Sequence, residues 1–450
     1  MSPYRWLTLI SRVCLVAALV LTAANTASAE WKEKVLYSFQ GGSDGAVPAG
    51  GVAFDKAGNL YGATTYTPSC DDTFTCGTAF ELSLQGGTWV ETTLHAFQGH
   101  AQGDGGAPGG GVILDASGNV YGTTGYGGTG GCILLGTAVG CGTVYELSPP
   151  AQQGGQWTYA ILYNFQGGND GQFPWGDLVF DKKGNLYGAT QFGGGKGTTC
   201  DPFYQYCGTV FELSPPKQKG GAWTEKVLHS FAGGTDGANP NGGLVMDSKG
   251  VIYGTTLTGG NQGCQDSYGV GCGTVFEVTP PGKRGGSWRE KILHRFRGGA
   301  KDAAHPNGQL VFDGRGNLYG TSLGGAGSGD DGTVFEFSRR TGGGRWREAF
   351  PHVFQSCGGG DGCLPGPGLI FDSSGNLYGV TTGVFRMKPP VRKGGKWTLA
   401  LLYKFTGSPD GQGPVGIIFG DAGVIYGTTF YGGTGQACQG GCGTAFEVWP

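Results

Sequence analysis

Residues 223–281 read WTEKVLHSFAGGTDGANPNGGLVMDSKGVIYGTTLTGGNQGCQDSYGVGCGTVFEVTPP, and this stretch decides the fold. Four short runs rich in Val, Ile, Leu, Phe, Tyr and Thr are separated by clusters of Gly, Pro, Asn and Asp. That is the pattern of β-strands joined by turns. The same order recurs seven times, opened by Trp31, Trp89, Trp157, Trp223, Trp288, Trp346 and Trp397. In the first strand, Trp, Tyr or His, and Phe lie an even number of residues apart, which predicts that they share one face.

An apolar strand follows, ending at Asp55, Asp115, Asp181, Asp247, Asp313 or Asp372; the seventh unit shifts its acid to Asp421. A tight turn, usually closed by Gly-Asn, leads into a strand of the NLYGTT type. Its glycine column (Gly62, Gly122, Gly188, Gly254, Gly320, Gly379, Gly427) predicts close approach of backbones. The last strand is of the GTVFEL type. Four strands per unit point to propeller blades. The phase is split, with one Trp strand at the start and three strands before Pro450. The expectation is therefore an all-β, seven-bladed β-propeller of four-stranded blades, in which the N-terminal strand completes the last blade and removes an open sheet edge.

The chain of 450 residues holds 96 glycines, with 14% charged residues and a formal net charge of −3. No Gly-X-Y period is present, which excludes collagen, and the charge gives no case for nucleic acid as a partner. Residues 1–29 read as a secretory signal: Arg5 and Arg12, an apolar core from Val13 to Leu21, and Ala27-Ser28-Ala29 before Glu30. That core is too short for a stable membrane anchor. Residues 30–450 then form one propeller domain, a monomer, secreted or periplasmic and not inserted in a membrane. The twelve cysteines left after the signal fall into close pairs: Cys70 and Cys76, Cys132 and Cys141, Cys200 and Cys207, Cys264 and Cys272, Cys357 and Cys363, Cys438 and Cys442. Export permits disulfides, and neither interleaved histidines nor C-x2-C spacing supports zinc at these pairs.

The units GGTDGANPNGGLVMDSKGVIYGTT and CGTVFEVTPP resemble the GloVer-type tandem repeats of exported bacterial proteins, over essentially all of the mature chain. The resemblance implies a surface or secreted repeat protein of the choice-of-anchor kind, with no established enzymatic activity; the sequence ends at Pro450 without such an anchor. Similarity to NHL-type propeller units rests on the apolar strand and its Asp-x-x-Gly-Asn turn.

A catalytic centre needs one arrangement of groups, whereas a scaffold residue recurs in every blade. His95, His229, His294 and His352 occupy a column that is otherwise Tyr, and so read as packing residues. The column Glu81, Glu146, Glu212, Glu277, Glu336 and Glu447 reads as cross-strand pairing, and Arg386 interrupts it. Asp44, Asp104, Asp170, Asp236, Asp302, Asp361 and Asp410 recur in the turn after each Trp strand. Turn formation is the preferred reading there; a ring holding Ca²⁺ or facing a sugar is the functional one. No other cofactor is expected. HExxH, GxSxG and EF-hand strings are missing.

Departures from the repeat coincide near blades five and six, so the ligand is expected there, at Lys301, Asp302, His305, Asp330, Asp331 and Arg386. Two functions survive. One is a non-catalytic binding or scaffold propeller for a glycan, protein or envelope component. The other is a polysaccharide hydrolase or lyase on the same scaffold.

Overall fold

Asp247 shows how the sequence builds each hairpin. Its Oδ1 accepts the N–H groups of Lys249 (2.9 Å) and Val251 (3.0 Å), and its carbonyl accepts from Gly250 at 3.0 Å. Asp55, Asp115, Asp181, Asp313 and Asp372 hold their turns in the same way. The carboxylate thereby satisfies donors that a two-stranded turn leaves open.

In the computed structural model, residues 30–67, 76–152, 154–195, 207–218, 220–261, 263–266, 268–283, 285–326, 331–339, 346–355, 360–392 and 394–450 are described. The signal-peptide expectation falls outside them. Seven antiparallel sheets form the blades of a propeller. Blade four is representative, running outward through Val245–Met246, Ile252–Thr256, Thr274–Thr279 and Arg289–Arg295. Blade seven contains Gln412–Phe419, Ile425–Tyr431 and Thr444–Trp449, and its outer strand is Lys32–Ser38 from the other end of the chain. The ring closes as expected.

Each outer strand carries a β-bulge, which corrects the expectation that Trp, Tyr or His, and Phe share a face. In blade three, Val227 is registered with Phe211 and His229 with Val210, so Leu228 is the extra residue. Leu36, Leu94, Leu162, Leu293 and Leu402 are the equivalents. One extra residue exchanges the faces of everything beyond it. Trp therefore packs on the preceding blade, as in Trp157 with Tyr61 and Trp397 with Tyr319. Phe packs on the following blade, as in Phe39 with Phe80, Phe231 with Phe276 and Phe405 with Phe446. A single strand thus grips both neighbours, and the core is a series of inter-blade clusters.

The glycine column of the second strand has another cause than the one expected. A Cβ on Gly254 would lie 2.6 Å from the ring of Phe276, its cross-strand partner. Phe80, Phe211, Phe335 and Phe385 lie over their glycines likewise, and Tyr145 covers Gly122; at Gly427 the Gly416 carbonyl lies nearer than the Phe446 ring, so there the expected backbone approach is found. An aromatic side chain fills the space that the missing Cβ leaves. Close backbone approach occurs instead at the propeller axis. There Gly50, Gly110, Gly176, Gly242 and Gly308 each abut the backbone of the next blade.

A second ring links the blades near the face that carries the Cys-bearing loops. Val47, Ala107, Phe173, Asn239, His305 and Leu364 all precede proline and adopt positive φ, between 46° and 59°. Their N–H groups donate to the carbonyls of Cys442, Cys76, Cys141, Cys207, Cys272 and Asp331 of the preceding blade, at 2.8–2.9 Å. This strained conformation is held because it satisfies a buried donor across each seam.

Candidate functional site

The bulge places a chemically active group at every seam. The Tyr or His beyond the bulge meets the Asp of the turn that follows. Tyr37 donates to Asp44 (3.0 Å), Tyr163 to Asp170 (2.7 Å) and Tyr403 to Asp410 (2.9 Å). His95 meets Asp104 (2.9 Å), His229 meets Asp236 (3.3 Å), His294 meets Asp302 (3.2 Å) and His352 meets Asp361 (2.9 Å). The same carboxylates accept backbone N–H groups, for example from Gln40, Ala232 and Arg297. The histidines are thus hydrogen-bonded partners of the turn aspartates as well as packing groups.

A third residue comes from the outer strand of the next blade, two positions after its Trp: Glu91, Tyr159, Glu225, Glu290, Glu348, Leu399 and Glu33. Sequence reasoning missed this column, although the Trp-x-Glu repeat was visible in five units. Only the bulge reveals that it faces the Tyr or His and Asp of the blade before. Oε1 of Glu33, Glu225, Glu290 and Glu348 is buried without a partner.

Burial, together with the neighbouring carboxylates, shifts these acids upward. Glu33 is pushed up to about 7 by burial and by Asp410 and Glu447. Glu91 reaches about 7 through burial and Asp44, against a hydrogen bond from Thr93. Glu225 reaches about 7 through burial and Asp170. Glu348 is also raised, by burial and by Asp302. Asp104 shows the opposite outcome: burial would raise it, but hydrogen bonds from His95, Tyr159 and Gln98 bring it below the usual range.

A pH dependence follows from Glu33, Glu91 and Glu225. Their folded-state values lie above the unfolded one, so stability is full below about pH 4.5 and is lost as pH rises through about 7. Solvent screening leaves about 1 kcal/mol for each. The melting temperature should fall by several degrees between pH 5 and pH 8. Combined Glu33→Gln, Glu91→Gln and Glu225→Gln should flatten that decline in calorimetry, and an unchanged slope would contradict the assignment.

The other expected residues are dispersed. Lys301 is exposed at the end of a short helical turn, Gly299–Lys301. Asp302 is buried, its carboxylate held by His294 and by the Arg297 N–H. His305 is only 3% exposed, with Nδ1 3.1 Å from the Leu257 carbonyl. Asp331 accepts the seam bond from Leu364. Asp330 lies outside the described residues. Arg386 is registered with Tyr378, next to the Asp372 turn, and so lies toward the face opposite the Cys-bearing loops. Its strand, Gly383–Lys388, runs away from the loop face. The structure brings Asp302 and His305 into one turn without joining them to Arg386.

The glutamate column does pair across strands: Glu277 with Lys291 (3.1 Å), Glu447 with Lys34 (3.9 Å), and Glu212 with the Tyr187 hydroxyl (3.3 Å). Disulfides join Cys132 to Cys141, Cys264 to Cys272 and Cys438 to Cys442. Cys76, Cys207 and Cys363 are also disulfide-bonded. Cys70, Cys200 and Cys357 lie outside the described residues. The three described disulfides lie against the turn into the next blade. The Sγ atoms of Cys132 and Cys141 approach Gly167, those of Cys264 and Cys272 approach Gly298, and those of Cys438 and Cys442 approach Gly41.

At the axis, Asp177 and Gln309 replace glycine. The Asp177 carboxylate accepts the Gly111 N–H, and Gln309 donates to the Leu244 carbonyl at 2.8 Å. Burial raises the Asp177 carboxyl. The signal was present in the first letter of DLVFD and QLVFD, where other units mostly have GLVMD-like strings. Among the described residues, no helix is long and apolar enough to cross a membrane.

Fold and seams together define a seven-bladed β-propeller built from one tandem repeat. The model of the Gloeobacter/Verrucomicrobia repeat matches residues 22–199 and 131–387. The chain belongs to that family. No curated protein matches its sequence. Among solved structures it is similar to PorZ, a surface component of the type-IX secretion system of Porphyromonas gingivalis. That match has 14% identity, 88% of this chain, 46% of the other and a TM-score of 0.48. It is also similar to an oxidoreductase (glucose dehydrogenase) of Thermus thermophilus, with 15% identity, 93% and 100% coverage and a TM-score of 0.43. A third is the gluconolactonase XC5397 of Xanthomonas campestris, with 18% identity, 68% and 78% coverage and a TM-score of 0.36.

Proposed function

We propose that this protein is an exported, non-catalytic binding propeller that engages a glycan, protein or envelope component through its Cys-bearing loop face. One observation carries the reading. Of the large hydrophobic side chains exposed among the described residues, Tyr66, Ile133, Leu135, Tyr268, Val270, Leu364 and Tyr431 belong to that face. Leu84, Val90 and Val391 belong to the third-to-outer hairpins on the other side. Exposed apolar groups gathered on one face mark an interaction surface, and tyrosines there suit both sugar rings and protein. Disulfides at the roots of these loops limit the ordering cost of binding. The titratable groups, by contrast, recur at seam after seam with structural partners, which suits a scaffold better than a reaction centre. Lys301 and Asp331 add charge to this face on the blade-five side.

The test is a calorimetric screen of the mature protein against cell-wall and plant polysaccharides, with chromatography for released products. Saturable binding without products, weakened at least tenfold by combined Leu135→Ser and Tyr268→Ser, supports the reading. Accumulating oligosaccharides would favour the hydrolase or lyase alternative. Binding that survives those changes but is lost with Lys217→Ala and Lys283→Ala on the opposite rim would move the site.

A further inference from the structure

We propose that His294, Asp302 and Glu348 form a divalent transition-metal site that joins blade four to blade five. His229, Asp236 and Glu290 form a weaker copy one seam earlier. This goes beyond the loop-face reading and does not depend on it.

His294 belongs to the outer strand of blade four, Asp302 to the turn into blade five, and Glu348 to the outer strand of blade five, Trp346–Val353. In each cluster one donor atom per residue lies within 4.8 Å of the other two. His294 Nε2 faces two carboxylate oxygens at once, 3.2 Å from Asp302 Oδ1 and 3.5 Å from Glu348 Oε2. A single ring N–H can satisfy only one of them, and the two carboxyl groups also meet each other, Glu348 with Asp302.

The seven seams supply an internal comparison. Where Tyr159 or Leu399 stands in the third position, His95–Asp104 and His352–Asp361 close to 2.9 Å, the length of a charge-assisted hydrogen bond. Where Glu stands there, the His–Asp distance opens to 3.2 and 3.3 Å. Ligands about 2.0 Å from a tetrahedral ion lie about 3.3 Å apart, so the Glu348 cluster already has that spacing on two edges.

Donor chemistry selects the cation. One imidazole nitrogen with two carboxylates suits Zn²⁺ or a related divalent ion, whereas Ca²⁺ takes six to eight oxygens. Once deprotonated as ligands, the Asp302 and Glu348 carboxylates would carry charge −2, which one divalent ion neutralises. Asp302 is aimed by its other oxygen, Oδ2, which accepts the Arg297 N–H at 3.0 Å. The His294 ring is fixed between Phe296 and Phe337. Such supports orient metal ligands. The side chains remain 26%, 12% and 15% exposed, so an ion can enter.

The second cluster differs in its surroundings. The positive charge of Arg295 acts on Glu290, and Glu277 lies near as well. Arg295 is anchored to the Thr235 carbonyl at 2.6 Å and remains beside the cluster. A resident cation competes with an incoming one, so this site ranks second.

The probe is ZnCl₂ titrated calorimetrically into untagged, EDTA-treated mature protein, with Co²⁺ absorption as a second readout. The expected result is about one tight equivalent and a second at least about tenfold weaker. Glu348→Gln should remove the tight phase, and Glu290→Gln the weak one. His294→Tyr installs the residue that Tyr37, Tyr163 and Tyr403 already provide at other seams, so it should fold and yet abolish the tight phase. His95→Tyr should leave both phases unchanged. The proposal is overturned if neither Zn²⁺ phase is stoichiometric, or if the tight phase persists in folded Glu348→Gln and His294→Tyr proteins.

Discussion

Removal of residues 30–40 should leave a chain that aggregates or stays molten, because the outer strand of blade seven is then missing. Lys32–Ser38 is registered with Thr444–Trp449 along its whole length. Phe39 is fully buried against Phe80, Leu36 lies in the same cluster, and Trp31 packs on the seam between blades six and seven. A buried Phe→Ala change alone costs about 3–5 kcal/mol. Losing the strand removes several such contacts from a fold whose net stability is of order 5–15 kcal/mol. It also exposes an unpaired edge. Size-exclusion chromatography and circular dichroism read the outcome directly. Adding the 30–40 peptide in trans should recover monomeric protein, and Phe39→Ala should fold with a much lower melting temperature. A truncated chain that remains monomeric and melts unchanged would show that the ring does not need this closure.

Gly242→Val should be comparably severe. Gly242 stands at the axis, where a Cβ would run into the Gly308 carbonyl of the next blade. The obstacle is backbone held by two sheets, so it cannot rotate aside as a side chain would. Overpacking of a well-filled core costs about 1–3 kcal/mol, and here the strain is passed to neighbouring seams of a closed ring. The expected result is poor soluble yield, or a melting temperature lowered by up to about ten degrees. Gly250→Ala is the control. Gly250 has positive φ but lies in an exposed turn with only Pro280 in van der Waals reach, so its cost is the local backbone strain, about 1–2 kcal/mol. Equal melting temperatures for Gly242→Val and Gly250→Ala would remove the argument for a closed axis.

The sequence by itself determined the blade count, the order of strands, the turn chemistry and the closure by Trp31–Phe39. Those follow from local periodicity and from Gly, Pro, Asn and Asp placement, which act over a few residues and repeat seven times. It also indicated cross-strand use of the Glu277 column and local pairing of Cys132, Cys264 and Cys438 with their near neighbours. What it could not give was the direction in which the Trp strand faces. Parity places Trp223, His229 and Phe231 together, yet Leu228 is accommodated as a bulge and sends them to opposite neighbours. Whether an extra residue is absorbed in a strand depends on the partner strand and on the packing beyond it, and neither is local. The assembly of His294, Asp302 and Glu348 depends on that same bulge, joining residues from two blades and the turn between them. The role of Gly254 was likewise tertiary, since only the placed Phe276 ring explains the missing side chain. Repetition made the fold legible; the geometry of the seams, where the chemistry lies, came from the packing of blade on blade.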